Sequence, residues 1–108
     1  RAEAMSHRLI VSLAARADHR ESVDWFDSET GSHALGDRFT KAVNQAFENI
    51  SSAPERYGFS KHGSRRVLLR PFRHAIHYIV EGRIVHVVAI WHQSRDPQKL
   101  HWRLRRFL

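Results

Sequence analysis

The sequence contains no cysteine and no long apolar run. Without cysteine the chain forms neither a disulfide framework nor a thiolate metal site, so a hydrophobic core must hold the fold together. No apolar stretch approaches the roughly 20 residues that span a bilayer, and the first residues lack the apolar segment of a secretion signal. We therefore expect a cytoplasmic protein that does not enter a membrane.

Acidic residues are also scarce. The chain has 18 Lys and Arg against 11 Asp and Glu, which gives a net charge of +7. This imbalance favours association with nucleic acid, an acidic protein or an anionic surface, without choosing among them. A chain of 108 residues has room for one two-layer domain. We assign residues 8–108 to that domain and residues 1–7 to an N-terminal extension.

The N-terminal part predicts a strand followed by a helix. Residues 8–14 form an apolar, β-branched stretch of strand length. Asp18, with Glu21 three positions later, has the pattern of a helix capping box. The first helix is therefore predicted over residues 18–30, with Gly31 as its C-terminal signal.

A second helix is predicted over residues 33–52, because apolar residues recur there at three- and four-residue steps. Its stripe consists of Leu35, Phe39, Val43, Ala46, Phe47 and Ile50. Ala53-Pro54 should end this helix, since proline disfavours the helical conformation in the residue before it. The polar, glycine-containing residues 55–64 predict a loop, which we expect to be the most mobile element.

The C-terminal half predicts three strands and a final helix. The strands are expected over residues 66–70, 75–80 and 83–91. Glu81-Gly82 reads as a two-residue hairpin turn, which would pair Val80 with Arg83 and His77 with His86. Asp96-Pro97 has the pattern of a helix start. The element order is thus β-α-α-β-β-β-α, an α+β arrangement.

Side-chain alternation assigns the two faces of this sheet. The apolar face, expected under the helices, carries Val67, Leu69, Ile76, Tyr78, Val80, Val85, Val87, Ala89 and Trp91. The opposite face is cationic and rich in histidine, with Arg66, Leu68, Arg70, His77, His86 and His92. A polar face opposite a covered one has the outline of a binding surface. No metal site is predicted, because the pattern places no third ligand beside His77 and His86.

Several segments resemble the RelE/ParE superfamily of bacterial toxins. They are WF and LGDRF between residues 25 and 39, APERY at 53–57, RRVLLRPFRHAIHYIV at 65–80 and VVAIWHQSRDP at 87–97. The resemblance implies a RelE/ParE-like fold, an antiparallel sheet with an N-terminal α-helical hairpin on one face. It also implies a type II toxin–antitoxin module without a cofactor, in which a cognate antitoxin forms a hetero-oligomer with the toxin.

The superfamily includes RelE-like ribosome-dependent mRNA endoribonucleases. Cleaving RNA without metal needs a base, an acid and cations around the scissile phosphate. Against the family pattern, Leu68, Ala75 and His101 replace a basic residue, an arginine and a tyrosine. Histidine can act as acid or base near neutral pH. If the chain is a nuclease, the resemblance gives as its catalytic candidates Arg66, Arg70, His92, Arg95 and His101.

ParE-like members instead inhibit DNA gyrase by binding it. Because three nuclease positions are lost here, we expect a ParE-like gyrase inhibitor, with the ribosome and mRNA as the target of the alternative and an inert binding module as a third possibility. The expected binding surface comprises Arg66, Arg70, Arg73, His77, His86, Arg95 and Arg103. Arg95 could instead pair with Asp96 or another carboxylate and only shape the corner after the last strand.

Overall fold

A computed structural model describes residues 6–107. Its strands and helices, in chain order, are β1 (Arg8–Val11), α1 (Leu13–Thr30), α2 (Ala34–Ser52), β2 (Arg65–Leu68), β3 (His74–Glu81), β4 (Ile84–His92) and α3 (Pro97–Phe107). Within this part of the chain, no helix is both long and apolar enough to cross a bilayer. Most of the predicted extension, residues 1–5, lies outside the described residues.

The four strands form one sheet in the order β1-β4-β3-β2. The pairs β2–β3 and β3–β4 are antiparallel, whereas β1 runs parallel to β4. The predicted α+β fold is confirmed, with α1 and α2 packed as a hairpin on one face of the sheet. The sheet is mixed because β1 runs parallel to β4. These two strands are distant in sequence, so no turn residue gives a local signal for their pairing.

Helix α1 begins earlier than predicted. Ser12 is its N-cap, and the Ser12 hydroxyl oxygen accepts a hydrogen bond from the N–H of Ala15 at 3.1 Å. The predicted capping box at Asp18 and Glu21 is therefore wrong, since Asp18 lies inside the helix with a buried side chain. Gly31 does end the helix, in the left-handed conformation at φ 68°, as predicted.

Helix α2 agrees with its prediction, and its stripe packs into the core. Helices α1 and α2 approach each other closely at Gly36, where an added Cβ would lie 3.1 Å from the side chain of Val23. After Ala53 the chain makes a short 3-10 helix, Pro54–Arg56, inside the segment predicted as a loop. The hydroxyl of Tyr78 donates to the Pro54 carbonyl and anchors this turn to β3.

The β3–β4 hairpin turn lies one residue later than predicted. Glu81 pairs with Ile84, so the two loop residues are Gly82 and Arg83. Gly82 has φ 61°, a conformation that glycine adopts without steric cost and that tight hairpins favour. The predicted pairing of Val80 with Arg83 is therefore wrong.

A β-bulge in β4 changes which residues face the helices. Tyr78 pairs with Val87 and His77 with Ala89, so Val88 is the extra residue. The alternation of side chains shifts at this point. As a consequence, Ile90 joins the core under the helical hairpin of α1 and α2. The predicted pairing of His77 with His86 is also wrong, because the later turn pairs His86 with Ile79 and the bulge then pairs His77 with Ala89.

The shift gives the sheet a second apolar cluster on its opposite face. Ala89 and Trp91, predicted to lie under the hairpin, instead pack with Val88, and Leu100 and Leu104 of α3 cover them. The main core, between the hairpin and the sheet, includes Phe39, Ile50, Ile76, Tyr78, Val85 and Val87. Helix α3 therefore covers a smaller core, and the residues before it form the corner after β4.

Candidate binding site

A buried carboxylate joins three elements at the C-terminal end of β4. Asp18 of α1 is 3% exposed. Its carboxylate accepts hydrogen bonds from the N–H of Ile90 at 3.0 Å, from Arg95 at 2.9 Å and from Arg103 at 2.6 Å. A buried carboxylate needs such partners, and these three tie α1 to β4, to the corner after β4 and to α3.

The two arginines of this network also lie over Trp91. The guanidinium carbons of Arg95 and Arg103 are 3.6 Å and 5.1 Å from the centre of the indole ring. Both distances are in the range of cation–π attraction. Within residues 6–107, the buried Nε1 of Trp91 has no hydrogen-bond partner. The indole is thus fixed by cations and retains an unused donor.

A cavity of about 280 Å³, which we call the Trp25 cavity, lies beside this network on the side of helix α1. Its walls include Trp25, Phe26, His74, His92 and Arg95. Nε2 of His74 lies 3.1 Å from the Ser22 hydroxyl, and Nδ1 of His92 accepts from the N–H of Ser94 at 2.9 Å. Burial, assisted by the nearby His92 and Arg95, lowers the pKa of His74 to about 4.

A larger groove of about 1070 Å³, which we call the basic groove, lies between the 59–62 loop, β2, the turn before β3 and the start of α3. Its cations are Lys61, Arg66, Arg70 and Arg73, and its histidines are His62, His74 and His77. No aspartate or glutamate lines it. Trp91 reaches the groove as well, so the Asp18 network forms part of its support.

The histidines of the basic groove are held in the neutral form near pH 7. Nδ1 of His77 lies 3.0 Å from the Ser64 hydroxyl. Burial, followed by the charge of Arg66, lowers the pKa of His77 to about 4. Partial burial, followed by the charge of Lys61, lowers the pKa of His62. The nearby charges of Lys61, His101 and Arg66 add to the effect of burial on the pKa of His62.

The structure separates the candidate catalytic residues. Arg66 and Arg70 line the basic groove. His92 and Arg95 line the Trp25 cavity. The ring of His101 lies 5.7 Å from that of His62, next to the basic groove. The nuclease set is therefore divided between two concavities, which adjoin at His74.

The predicted binding residues are separated as well. Arg73 and His77 lie in the basic groove with Arg66 and Arg70. His86 is hydrogen-bonded to Glu81 at 3.1 Å. Arg103 and Arg95 are bound to Asp18, so the carboxylate pairing considered for Arg95 is present, with a partner other than Asp96.

Sequence reasoning missed the role of Asp18. A signal was available, since Ala15, Asp18, Ser22 and Phe26 follow at helical steps and place the carboxylate in the buried stripe of α1. An acid in such a stripe requires a cationic partner.

Within residues 6–107, no group of three or more His, Asp or Glu side chains is arranged to hold a metal ion.

A helical hairpin on a four-stranded sheet, followed by a C-terminal helix, is the RelE/ParE-like fold that the sequence resemblance implied. The model of the family described as ParE toxin of type II toxin-antitoxin system, parDE, matches residues 9–97. The chain belongs to this family, and a toxin of such a system has an antitoxin partner.

One solved structure similar to this chain is the chromosomal ParDE TA system from P. aeruginosa. The TM-score is 0.67 at 13% sequence identity, over 80% of this chain and 95% of that chain. At this identity the likeness concerns the fold alone. No curated protein matches the sequence.

Proposed function

We propose that this toxin arrests bacterial growth by binding DNA gyrase in the cytoplasm, and that its antitoxin neutralises it by forming a hetero-oligomer with it. Membership of the ParE family supports this target. The proposal rests above all on the division of the candidate catalytic residues between the basic groove and the Trp25 cavity. Inhibition by binding does not need those side chains to meet.

A nuclease would need them to meet. Acid, base and cation must lie within hydrogen-bond reach of one scissile phosphate. Arg95 is engaged by Asp18 at 2.9 Å and lies over Trp91, whereas Arg66 and Arg70 line the other surface. Arg95 is thus engaged in the Asp18 network, which holds three elements together.

One observation favours a second candidate, a ribosome-dependent mRNA endoribonuclease. His62 and His101 lie with ring centres 5.7 Å apart, and Arg66 is close enough to lower the pKa of His62. Two imidazoles beside cations are groups suited to acid–base cleavage of a phosphodiester. In this reading the reaction would take place at the edge of the basic groove and would not use His92.

The two candidates are separated by assaying the purified toxin in parallel on gyrase and on translating ribosomes. We expect the toxin to inhibit supercoiling of relaxed plasmid DNA by gyrase, addition of antitoxin to restore it, and mRNA on ribosomes to stay intact. Unaffected supercoiling together with ribosome-dependent mRNA cleavage would overturn the gyrase proposal. In that case His62→Ala and His101→Ala should abolish cleavage, while the same change at the exposed His33 should not.

A further inference from the structure

The cations of the basic groove are not used by the fold. Lys61, Arg66, Arg70 and Arg73 are exposed, and no ion pair joins any of them to an acid within residues 6–107. Elsewhere in the site, Arg95 and Arg103 share the single carboxylate of Asp18. Four unpaired cations in one acid-free concavity repel each other, which an anionic ligand would relieve.

The groove also offers groups that are not charged. Trp91 lines the groove but is only 5% exposed, so it forms part of the groove floor and offers no free ring face. At the rim, Phe59 is 68% exposed and Leu68 is 47% exposed. The guanidinium of Arg65 lies over the Phe59 ring at 4.2 Å and helps to fix its position. The anion expected here therefore carries flat apolar parts beside its charges.

These features identify a class of ligand. Pockets for single small molecules typically span about 300–1,000 Å³, and the groove is at or above that limit at about 1070 Å³. Sites for single-stranded nucleic acid combine cations that follow the phosphates with ring faces on which bases stack. Bases in a duplex are stacked and paired, so they would not stack on Phe59.

We propose that the basic groove binds a short segment of single-stranded nucleic acid, with its cations on the phosphates and the exposed ring of Phe59 facing a base. This is a binding activity of the toxin itself. It requires neither gyrase nor the ribosome, and it includes no cleavage step. An acidic protein segment would satisfy the cations but would leave the exposed ring of Phe59 without a function.

The test is fluorescence anisotropy with labelled oligo(dT) and oligo(U) over a series of salt concentrations. Each phosphate neutralised on a single strand contributes about 0.7 to the slope of log K against log salt, so Arg66→Ala with Arg70→Ala should lower that slope by about 1.4. The matched control is Arg20→Ala with Arg38→Ala, which removes the same charge from exposed positions on α1 and α2. This control should keep the wild-type slope, and thermal unfolding should show that both variants fold.

A second readout is the pKa of His62, followed by NMR. A bound phosphate should raise it, because the phosphate offsets the positive potential of Lys61 and Arg66. Equal weakening in groove and control variants would overturn the proposal, since it would indicate attraction by net charge alone. Binding of poly-glutamate without binding of either oligonucleotide would also overturn it, in favour of an acidic protein segment. Because the assay contains neither gyrase nor ribosomes, its outcome is independent of the target proposed above.

Discussion

The buried carboxylate of Asp18 gives the sharpest test of how this fold is held together. Asp18→Asn keeps the size of the side chain and one carbonyl oxygen but removes the charge. Arg95 and Arg103 then lose their common anion, and an amide N–H₂ faces guanidinium donors. The substitution should therefore loosen the junction between α1, the corner after β4, and α3.

The size of the expected loss in stability follows from the burial of the Asp18 carboxylate. Removing one partner of a fully buried ion pair costs about 3–5 kcal/mol, because a charge is left without compensation. Here the side chains of Arg95 and Arg103 are 38% and 21% exposed, so water recovers part of that loss. We expect the free energy of unfolding to fall by about 2–4 kcal/mol. In a domain of this size, that corresponds to a fall in Tm of about 10 °C or more.

Urea and thermal unfolding of the purified toxin measure this change. The matched control is Asp24→Asn, the same substitution at an exposed position of the same helix, which should stay within about 0.5 kcal/mol of wild type. In the Arg103→Gln background, Asp18→Asn should cost less than it does alone, since the two residues interact directly. If Asp18→Asn unfolds like Asp24→Asn, the Asp18 network does not hold the fold together.

Further predictions concern the two cores and pH. Tyr78→Phe leaves the Pro54 carbonyl without its donor and should lower the free energy of unfolding by about 1–3 kcal/mol; a neutral effect in urea unfolding would refute this. Leu104→Ala should cost about 2–5 kcal/mol by opening the cluster under α3, and a loss below about 1 kcal/mol would mean that α3 is not docked as described. Burial lowers the pKa of His74 and His77 to about 4 in the folded protein, against 6.5 for the unfolded chain. The unfolded chain therefore takes up these protons first, so each histidine contributes about 3 kcal/mol that is present above pH 6.5 and lost as pH falls towards 4. Urea unfolding across this window should show the loss, and His77→Gln should flatten it; an unchanged slope would contradict the assignment.

Local signals were sufficient for much of the fold. The stripe of α2, the end of α1 at Gly31 and the break at Pro54 each depend on neighbouring residues, so the sequence alone predicts them. The start of α1 was missed because Ser12 lies inside an apolar run that has the composition of a strand. Asp18 was assigned to the cap because its true partners lie 72 to 85 residues away.

The bulge at Val88 has the largest consequence for the site, and no pattern in the sequence indicates it. Residues 87–91 are all apolar, so alternation gives no sign of where the register shifts. The shift moves Trp91 to the groove side of the sheet, beside cations that the sequence had already placed on that face. The cationic face was therefore predictable at Arg66 and Arg70, whereas its indole and its support by Asp18 were not.

The most direct test of the proposed function is to induce the toxin in bacteria that lack the antitoxin and to follow incorporation of labelled thymidine and methionine over the first minutes. If gyrase is the target, thymidine incorporation should fall first while methionine incorporation continues, because replication stalls before translation is affected. An early fall in methionine incorporation with thymidine incorporation maintained would contradict the proposal and would place the target at the ribosome.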